Sequence, residues 1–590
     1  MKSGIWVAPA VLAVAFALWS YWPAPDSWIG WGGDPLFNLW TFEVGWHNLA
    51  AREPLWQAPL YAGSSLGLAY SETQIVPALL LWPVRALTGN GAVALGVGAI
   101  LTSLLAFICA AGWLRSLGVP RLAAFGGLIF AACGWLQSQY AHYQNLCIFV
   151  LPLALWSWSA YRRDPRPLRL MACAAAFGWI AGWNLYFQIF ADLCLVVLAA
   201  KARRPAVVAL ALALQAPFLA PYAALGPVLG GYGISTTYGA GLVSFLGSTM
   251  RPRLLMPSFD VPVEAAGYLG IVWLALMALS SRREQGRPWL VAAALAFWFA
   301  LGRGYGLYDA LALLPGISAL RAIGRAQILV LLFSLPAVLG WLETLSPRRV
   351  LAAACAAVLD LCPASRPLRT FTDPQLWGPP SPLSRELCCS REPVLVVPTA
   401  HERFMLYATQ TWTPYFGGVS GREPPGQALL QRLERDGRLE EVLEMSGARR
   451  VLALPSEAAA RLRSIPELQP RGCFRHLDLG EPCLFDVRGN KPEPLRIDRD
   501  THWEPLPSMQ WPAADLRADK SGVLDARRLD GCRLRQQIRL LGLPWSGEVA
   551  LPVPERARYS AGEAVLHVEA SQWIFRSGAA TARFTVVCEP

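Results

Sequence analysis

Charge is what this sequence has least of. Only 16% of its 590 residues are Asp, Glu, Lys or Arg, against roughly 25% in ordinary soluble domains. The apolar excess is concentrated before residue 363, which excludes one soluble domain for the whole chain. Lys is nearly absent beside Arg, a bias that a GC-rich genome explains. There is no CxxC pair and no His-rich cluster, which argues against zinc. No Gly-rich nucleotide fingerprint is present, which argues against a nucleotide-linked substrate. Internal repeats and low-complexity segments are also absent. No A-x-A-like cleavage site follows the first apolar run, so that run is expected to be a retained span. The net charge of +11 does not point to nucleic acid. The basic residues of the apolar part sit in short clusters between the runs, where a membrane protein needs them.

What is present is a series of apolar runs. A span needs about 20 apolar residues. Candidates are 5–22, 91–113, 121–140, 143–161, 168–184, 186–200, 205–226, 266–281, 288–304, 325–342 and 348–362. The shorter run 73–87 contains Pro77, Pro83 and Arg85 and reads as a re-entrant or interfacial helix. Clusters such as Arg162, Arg163, Arg166 and Arg169, or Arg282, Arg283 and Arg287, recur at alternate ends. By the positive-inside rule the expectation is about eleven spans with the N-terminus cytoplasmic. That places 23–90, 227–265, 305–324 and everything after 362 outside the cytoplasm. The lipid bilayer is the first implied partner.

The tail begins near Pro363. PVLVVP (393–398), RRVLALP (449–455) and CLFDV (483–487) alternate with the helical pattern GQALLQRLERDGRLEEVLEMSG. A small α/β domain is expected over 363–490. From 491 the chain reads as short strands of a β-rich, sandwich-like domain. Of thirteen cysteines, Cys109, Cys133, Cys147, Cys173, Cys194 and Cys355 lie in apolar runs and read as small core residues. Seven others lie in or beside the tail. Extracytoplasmic disulfides there are possible in principle, with Cys473–Cys483 and Cys532–Cys588 as the pairs expected.

A few polar residues stand out where the spans meet the outside. Asp34 sits in Gly-Gly-Asp-Pro, a setting for a tight turn into a helix over 36–49. It reads equally as an N-cap and as a catalyst. The helix it opens is amphipathic and aromatic, which suits the membrane interface. Glu72 reads first as a cap of the helix at 73–87, and second as a carboxylate for a metal or a sugar hydroxyl. Glu43 and His47 are four apart on one helix face, normally a solvated pair. His142 lies among Gln137, Gln139, Gln144 and Asn145, either an interfacial turn or a polar pocket. Asp192 lies inside an apolar run with Asn184 and Gln188 nearby, where an ionisable side chain is by default functional or paired. Arg321 and Arg325, four apart and against the charge rule, read as phosphate ligands, because a guanidinium fork binds two oxygens at once, or as snorkelling anchors.

These residues together resemble a known family. GGDPLFNLW (32–40), SETQIVPALLLWPVRALTGN (71–90), AHYQNLCIFVLPLALW (141–156) and LPGISALRAIGRAQ (314–327) look like motifs of the GT-C superfamily of membrane glycosyltransferases. The nearer resemblance is to its bacterial YfhO-like and mannosyltransferase-like (PMT-like) branch. TWTPYFGGVSGREP (411–424) and SGARRVLAL (446–454) match the tail of such proteins, so the resemblance covers about 1–490. It implies a GT-C-like membrane domain over 1–362 and an inverting transfer on the outer face of the bacterial cytoplasmic membrane. The donor would be a polyprenyl-phosphate-linked sugar, and the acceptor a glycan, lipid or protein. Asp34 would be the base or a metal ligand and Glu72 a second acidic site. Arg321 and Arg325 would hold the donor phosphate, with His142, Gln144, Glu43, His47 and Asp192 lining the pocket. The doubled acidic motif common in such loops is missing, which weakens the case for a divalent cation. The competing readings are a transporter or flippase for a lipid-linked glycan and a binding protein whose tail grips a polymer. A transporter would show repeat symmetry and a midplane site.

Overall fold

A computed structural model describes residues 4–229, 239–245, 267–361, 369–371 and 380–488, with short gaps. It also describes the backbone of the strands between 517 and 588. The chain divides into two compact units. One comprises 1–42, 72–220 and 231–372; the other comprises 43–71, 221–230 and 373–590.

Helices occupy each of the apolar runs. In chain order they are α1 (Gly4–Tyr21), α2 (Asp34–Ala51), α3 (Ile75–Leu80), α4 (Trp82–Thr88), α5 (Gly91–Ser116), α6 (Ala123–Ala131), α7 (Gly134–Ser138), α8 (Tyr143–Leu146) and α9 (Val150–Arg163). There follow α10 (Pro167–Gly178), α11 (Leu185–Ala202), α12 (Pro205–Leu229), α13 (Ile271–Ser280), α14 (Arg287–Ala300), α15 (Leu307–Leu311), α16 (Gln327–Leu342) and α17 (Pro347–Leu361). Among the described residues, four stretches are long and apolar enough to cross a membrane: Gly91–Ser116, Leu185–Ala202, Pro205–Leu225 and Ile323–Leu342. The short helices α3 and α4 turn Leu79, Leu80, Trp82 and Leu87 outward, as a helix lying in an interface would.

Within the first unit α5 is the central post, packed by α1, α6 and α9, while α16 packs on α14 and α13. The α5–α6 crossing is close because Gly127 has no side chain. A Cβ there would stand 2.5 Å from the Phe107 carbonyl, the usual role of small residues between membrane helices. A two-stranded antiparallel pair, β1 (Ser27–Ile29) with β2 (Arg369–Phe371), ties the two ends of this unit together.

The run 121–140, expected as one span, is interrupted. Helix α6 stops at Ala131, and α7 starts only after Cys133, whose Sγ accepts from Leu136 N. The cause is a close approach: at Gly134 a Cβ would meet the Tyr268 carbonyl at 2.4 Å. Gln137 Nε2 then donates to the freed Ala132 carbonyl at 2.7 Å and to Leu361 O at 3.3 Å. Irregular backbone inside a helical membrane fold survives when protein satisfies it in this way. The break turns residues 137–139 and 141–145 into the unit's interior.

In the second unit β3 (Val394–Val397) is flanked by parallel β4 (Tyr415–Phe416) and β5 (Arg450–Ala453). Antiparallel β6 (Leu468–Cys473) and β7 (Cys483–Val487) complete the order β4-β3-β5-β7-β6. The helical pattern of 426–447 divides at Gly437, φ +78°, into Pro425–Arg435 and Leu439–Ser446. Cys473 and Cys483 are opposite each other in register and joined as a disulfide. The Cys532–Cys588 pair lies outside the described residues. Leu60 bridges to Tyr415, with Tyr415 N donating to Pro59 O at 2.7 Å, so residues of the first loop extend this sheet. Farther on, two three-stranded antiparallel sheets form. Thr581–Cys588 is central between Arg535–Leu541 and Ala557–Ala561, and Gln572–Arg576 is central between Glu548–Pro552 and Val565–Glu569.

Candidate active site

The site begins where α2 begins. Phe37 N closes the first turn on Gly33 O at 2.9 Å, and Pro35 stands where a missing N–H costs nothing. Asp34 therefore opens the helix with its side chain 60% exposed. Its Oδ2 is 3.1 Å from Nε2 of His142, whose side chain is only 8% exposed. His142 is held by the turn after α7, where its N–H donates to Gln139 O at 3.0 Å.

The surrounding protein crowds the Asp34 carboxyl, which by itself would raise its pKa. The hydrogen bond from His142 and the positive fields of His142, Arg325 and Arg321 outweigh this, and the pKa lies below its ordinary value. The group is thus an ionised carboxylate in a basic setting.

The arginines arrive on the 3₁₀ turn Ile323–Ala326 and the residues before it. Arg325, with 5% of its side chain exposed, places Nη1 3.6 Å from Glu72 Oε2 and its guanidinium 4.3 Å from the ring centre of Tyr186. Glu72 is 14% exposed. The Tyr186 hydroxyl accepts from the N–H groups of Arg321 and Ala322, each at 3.2 Å. Glu72, expected first as a cap, is instead the ionic partner of Arg325, and Gln74 is the residue that precedes α3.

Beneath these charges runs a ladder of buried amides. Asn38, one turn after Asp34, donates through Nδ2 to Asp34 O at 2.7 Å and to Ala141 O at 2.9 Å. Gln74 Nε2 donates to Asn38 Oδ1 at 3.0 Å and to Gln144 Oε1 at 3.4 Å. Asn184 Nδ2 donates to Gln144 O and to Asn145 Oδ1, and Asn145 Nδ2 donates to Gln139 Oε1. Asn184 also caps α11 through Phe187 N. This network locks α2, the 137–145 segment and the start of α11 to one another.

The structure therefore brings together Asp34, His142, Arg321, Arg325, Glu72 and, through Gln74, Gln144. Asp192 is elsewhere: its Oδ1 accepts from Gln188 Nε2 at 2.8 Å and from Gln215 Nε2 at 3.3 Å. Glu43 and His47 belong to the other unit and are not the solvated pair expected. Glu43 is buried. The His47 ring is stacked 3.5 Å from that of Trp412, and His47 Nε2 is 3.9 Å from Glu53. Burial holds the His47 pKa low, with Glu53 partly opposing. Asn38 and Gln74 were missed from the sequence. Asn38 could have been found as the residue four after Asp34, on the same helix face.

Among the described residues no three His, Cys, Asp or Glu side chains converge as metal ligands. Arg325 already stands beside Glu72.

No family model matches the chain, and no curated protein matches it. Solved structures do. Arabinofuranosyltransferase AftD from Mycobacteria aligns over 82% of this chain and 41% of its own, at 18% identity and TM-score 0.51. ArnT from Cupriavidus metallidurans, bound to undecaprenyl phosphate, aligns over 81% and 97%, at 12% identity and TM-score 0.44. The Archaeoglobus fulgidus oligosaccharyltransferase aligns over 77% and 70%, at 12% identity and TM-score 0.44. The chain thus spans about two fifths of the AftD it matches. These neighbours are GT-C glycosyltransferases. At 18% identity and TM-score 0.51, the AftD alignment shows a likeness of fold between this chain and that protein.

Proposed function

We propose that this protein is an inverting membrane glycosyltransferase that moves a sugar from a polyprenyl-phosphate donor to an acceptor hydroxyl outside the cytoplasm. The acceptor is a glycan, lipid or protein. The observation that carries the reading is the ionised, open carboxylate of Asp34, hydrogen-bonded by His142 within the field of Arg321 and Arg325. A sugar hydroxyl is a weak nucleophile, and a carboxylate within hydrogen-bond reach takes its proton as it attacks. In this mechanism the acceptor oxygen bonds to the anomeric carbon from the face opposite the phosphate. The bond from that carbon to the phosphate oxygen breaks, its electron pair stays on the polyprenyl phosphate, and the proton passes to Asp34. The charge growing on the phosphate is met by Arg321 and Arg325, preorganised donors of the kind that stabilise leaving anions. His142 orients the carboxylate. No step passes through a metal.

In the arrangement that goes with this mechanism the N-terminus is cytoplasmic and about eleven spans cross the inner membrane. The α/β domain (363–490) and the β-rich domain (491–590) lie outside the cytoplasm. The test is mass spectrometry of membrane lipids and glycans from a deletion strain. The expected result is accumulation of one polyprenyl-phosphate-linked sugar and loss of its product, restored by the wild-type chain and not by Asp34→Asn. Unchanged lipid-linked sugars and glycans would remove the proposal. A reporter fused after Pro590 is expected to read as extracytoplasmic.

A further inference from the structure

Two buried acceptors at this site have no donor among the described residues. Gln74 is 1% exposed, and among the described residues its Oε1 and the Oε1 of Glu72 make no hydrogen bond. An amide can be drawn with oxygen and nitrogen exchanged, but here the neighbours fix the orientation. Asn38 donates to two backbone carbonyls, which can only accept, so its Oδ1 must face Gln74. Gln74 must then present Nε2 to Asn38, and its second N–H is used on Gln144 Oε1. The Oε1 atom is left over. Glu72 spends Oε2 on Arg325 and has Oε1 left over in the same way. A buried acceptor without a donor is costly, and a site that holds two is built to be completed by a ligand.

Resting on the glycosyltransferase reading, we infer that Gln74 and Glu72 bind hydroxyl groups of the transferred sugar, and that this sugar is neutral with at least two free hydroxyls. Both leftover atoms accept, so the ligand must donate at both. A uronate carboxylate would bring a third electron-rich group against them. An ammonium would add positive charge beside Arg325, which already balances Glu72. Hydroxyl groups meet both requirements. Arg321 and the rest of the Arg325 guanidinium are left for the phosphate, and Asp34 for the acceptor. Gln74 is therefore a specificity-determining residue, and Asn38 and Gln144 are positioning residues that aim it.

The test uses the full-length chain in lipid nanodiscs and short-chain polyprenyl phosphates, either bare or carrying a neutral hexose, its deoxy analogues, an amino sugar or a uronic acid. The wild-type protein is expected to bind the neutral glycosyl phosphate roughly tenfold tighter than the bare phosphate, and to lose most of that margin with a deoxy sugar. Gln74→Met is expected to erase the margin while leaving affinity for the bare phosphate within about twofold. The deoxy series needs no variant, so the inference stays open to refutation if a substituted chain does not fold. A margin indifferent to the deoxy positions, or a preference for the amino or uronic sugar, would overturn it. If bare polyprenyl phosphate itself does not bind the wild type, the donor reading falls and takes this inference with it. If it binds while the sugar margin is absent, only the inference falls.

Discussion

Two carboxyls of the helical unit, Asp34 and Asp360, are used in opposite ways. Asp360 on α17 is fully buried and both its oxygens are occupied: Oδ1 by the Tyr268 hydroxyl and Oδ2 by Val272 N at 2.8 Å. It sits at the start of α13, where an acidic group complements the exposed N–H groups and the helix dipole. Asp34 also sits at a helix start, but its side chain is largely open and its described partner is the one imidazole. The same residue type at the same kind of position thus does two jobs. Filled acceptor capacity holds a fold together. An ionised carboxylate with room beside it can take up a proton.

The comparison is broken most sharply by substituting each in turn. Asp34→Asn is expected to lower sugar transfer by about 10³-fold, within the range of a lost general base, with the melting temperature unchanged. Asp360→Ala is expected to do the reverse. Two donors, the buried Tyr268 hydroxyl and the part-buried Val272 N–H, lose this acceptor, at a cost of about 2–4 kcal/mol in stability. Transfer per folded molecule stays at the wild-type level. Thermal melts paired with initial rates read both quantities, and an exchange of the two outcomes would abolish the distinction.

Arg321→Ala is the next largest. It removes one cation from the Asp34 surroundings and, on the proposed mechanism, from the donor phosphate, and is expected to weaken donor binding roughly tenfold. Unchanged apparent affinity would count against a phosphate role. His142→Gln acts on pH dependence instead. In the wild type, crowding of the carboxyl by the surrounding protein pushes the Asp34 pKa up, and His142, Arg325 and Arg321 together bring it below the ordinary value. Deleting the imidazole leaves that crowding less opposed, so the pKa rises. The acid limb of kcat/KM is then expected to move to higher pH, read from a pH–rate profile.

Much of this site could be read from the residues, for a physical reason. Asp34, His142, Arg321 and Arg325 are polar groups in the least polar part of the chain, and such groups are conspicuous because they are costly there. Their conjunction was harder to read. Residues 34, 142 and 321 are brought together by breaks in the helices, and the break at Cys133 follows from how closely Gly134 approaches Tyr268, a tertiary fact. The pairing of Glu72 with Arg325 was hidden for the same reason: local spacing suggested a cap, whereas the partner lies 253 positions away. The strands of PVLVVP, RRVLALP and CLFDV were legible because short, β-branched or aromatic runs between turn residues have few alternatives. The extension of that sheet by Leu60 was not, since a one-residue bridge leaves no periodicity to detect.

Asp192 lies between the two extremes and sharpens the comparison at its weakest point. Its Oδ1 is occupied twice, by Gln188 and Gln215, so half of its acceptor capacity is structural, as in Asp360. Asp192→Asn keeps that oxygen and the side-chain shape, and replaces the other oxygen by an amide nitrogen. If filled acceptors define the structural role, the substitution should change stability by no more than about 1 kcal/mol, and transfer by no more than about twofold. A tenfold loss of transfer with an unchanged melt would instead place Asp192 with Asp34. The line between the two kinds of carboxyl would then follow distance from the arginines rather than the number of bonds each oxygen has made.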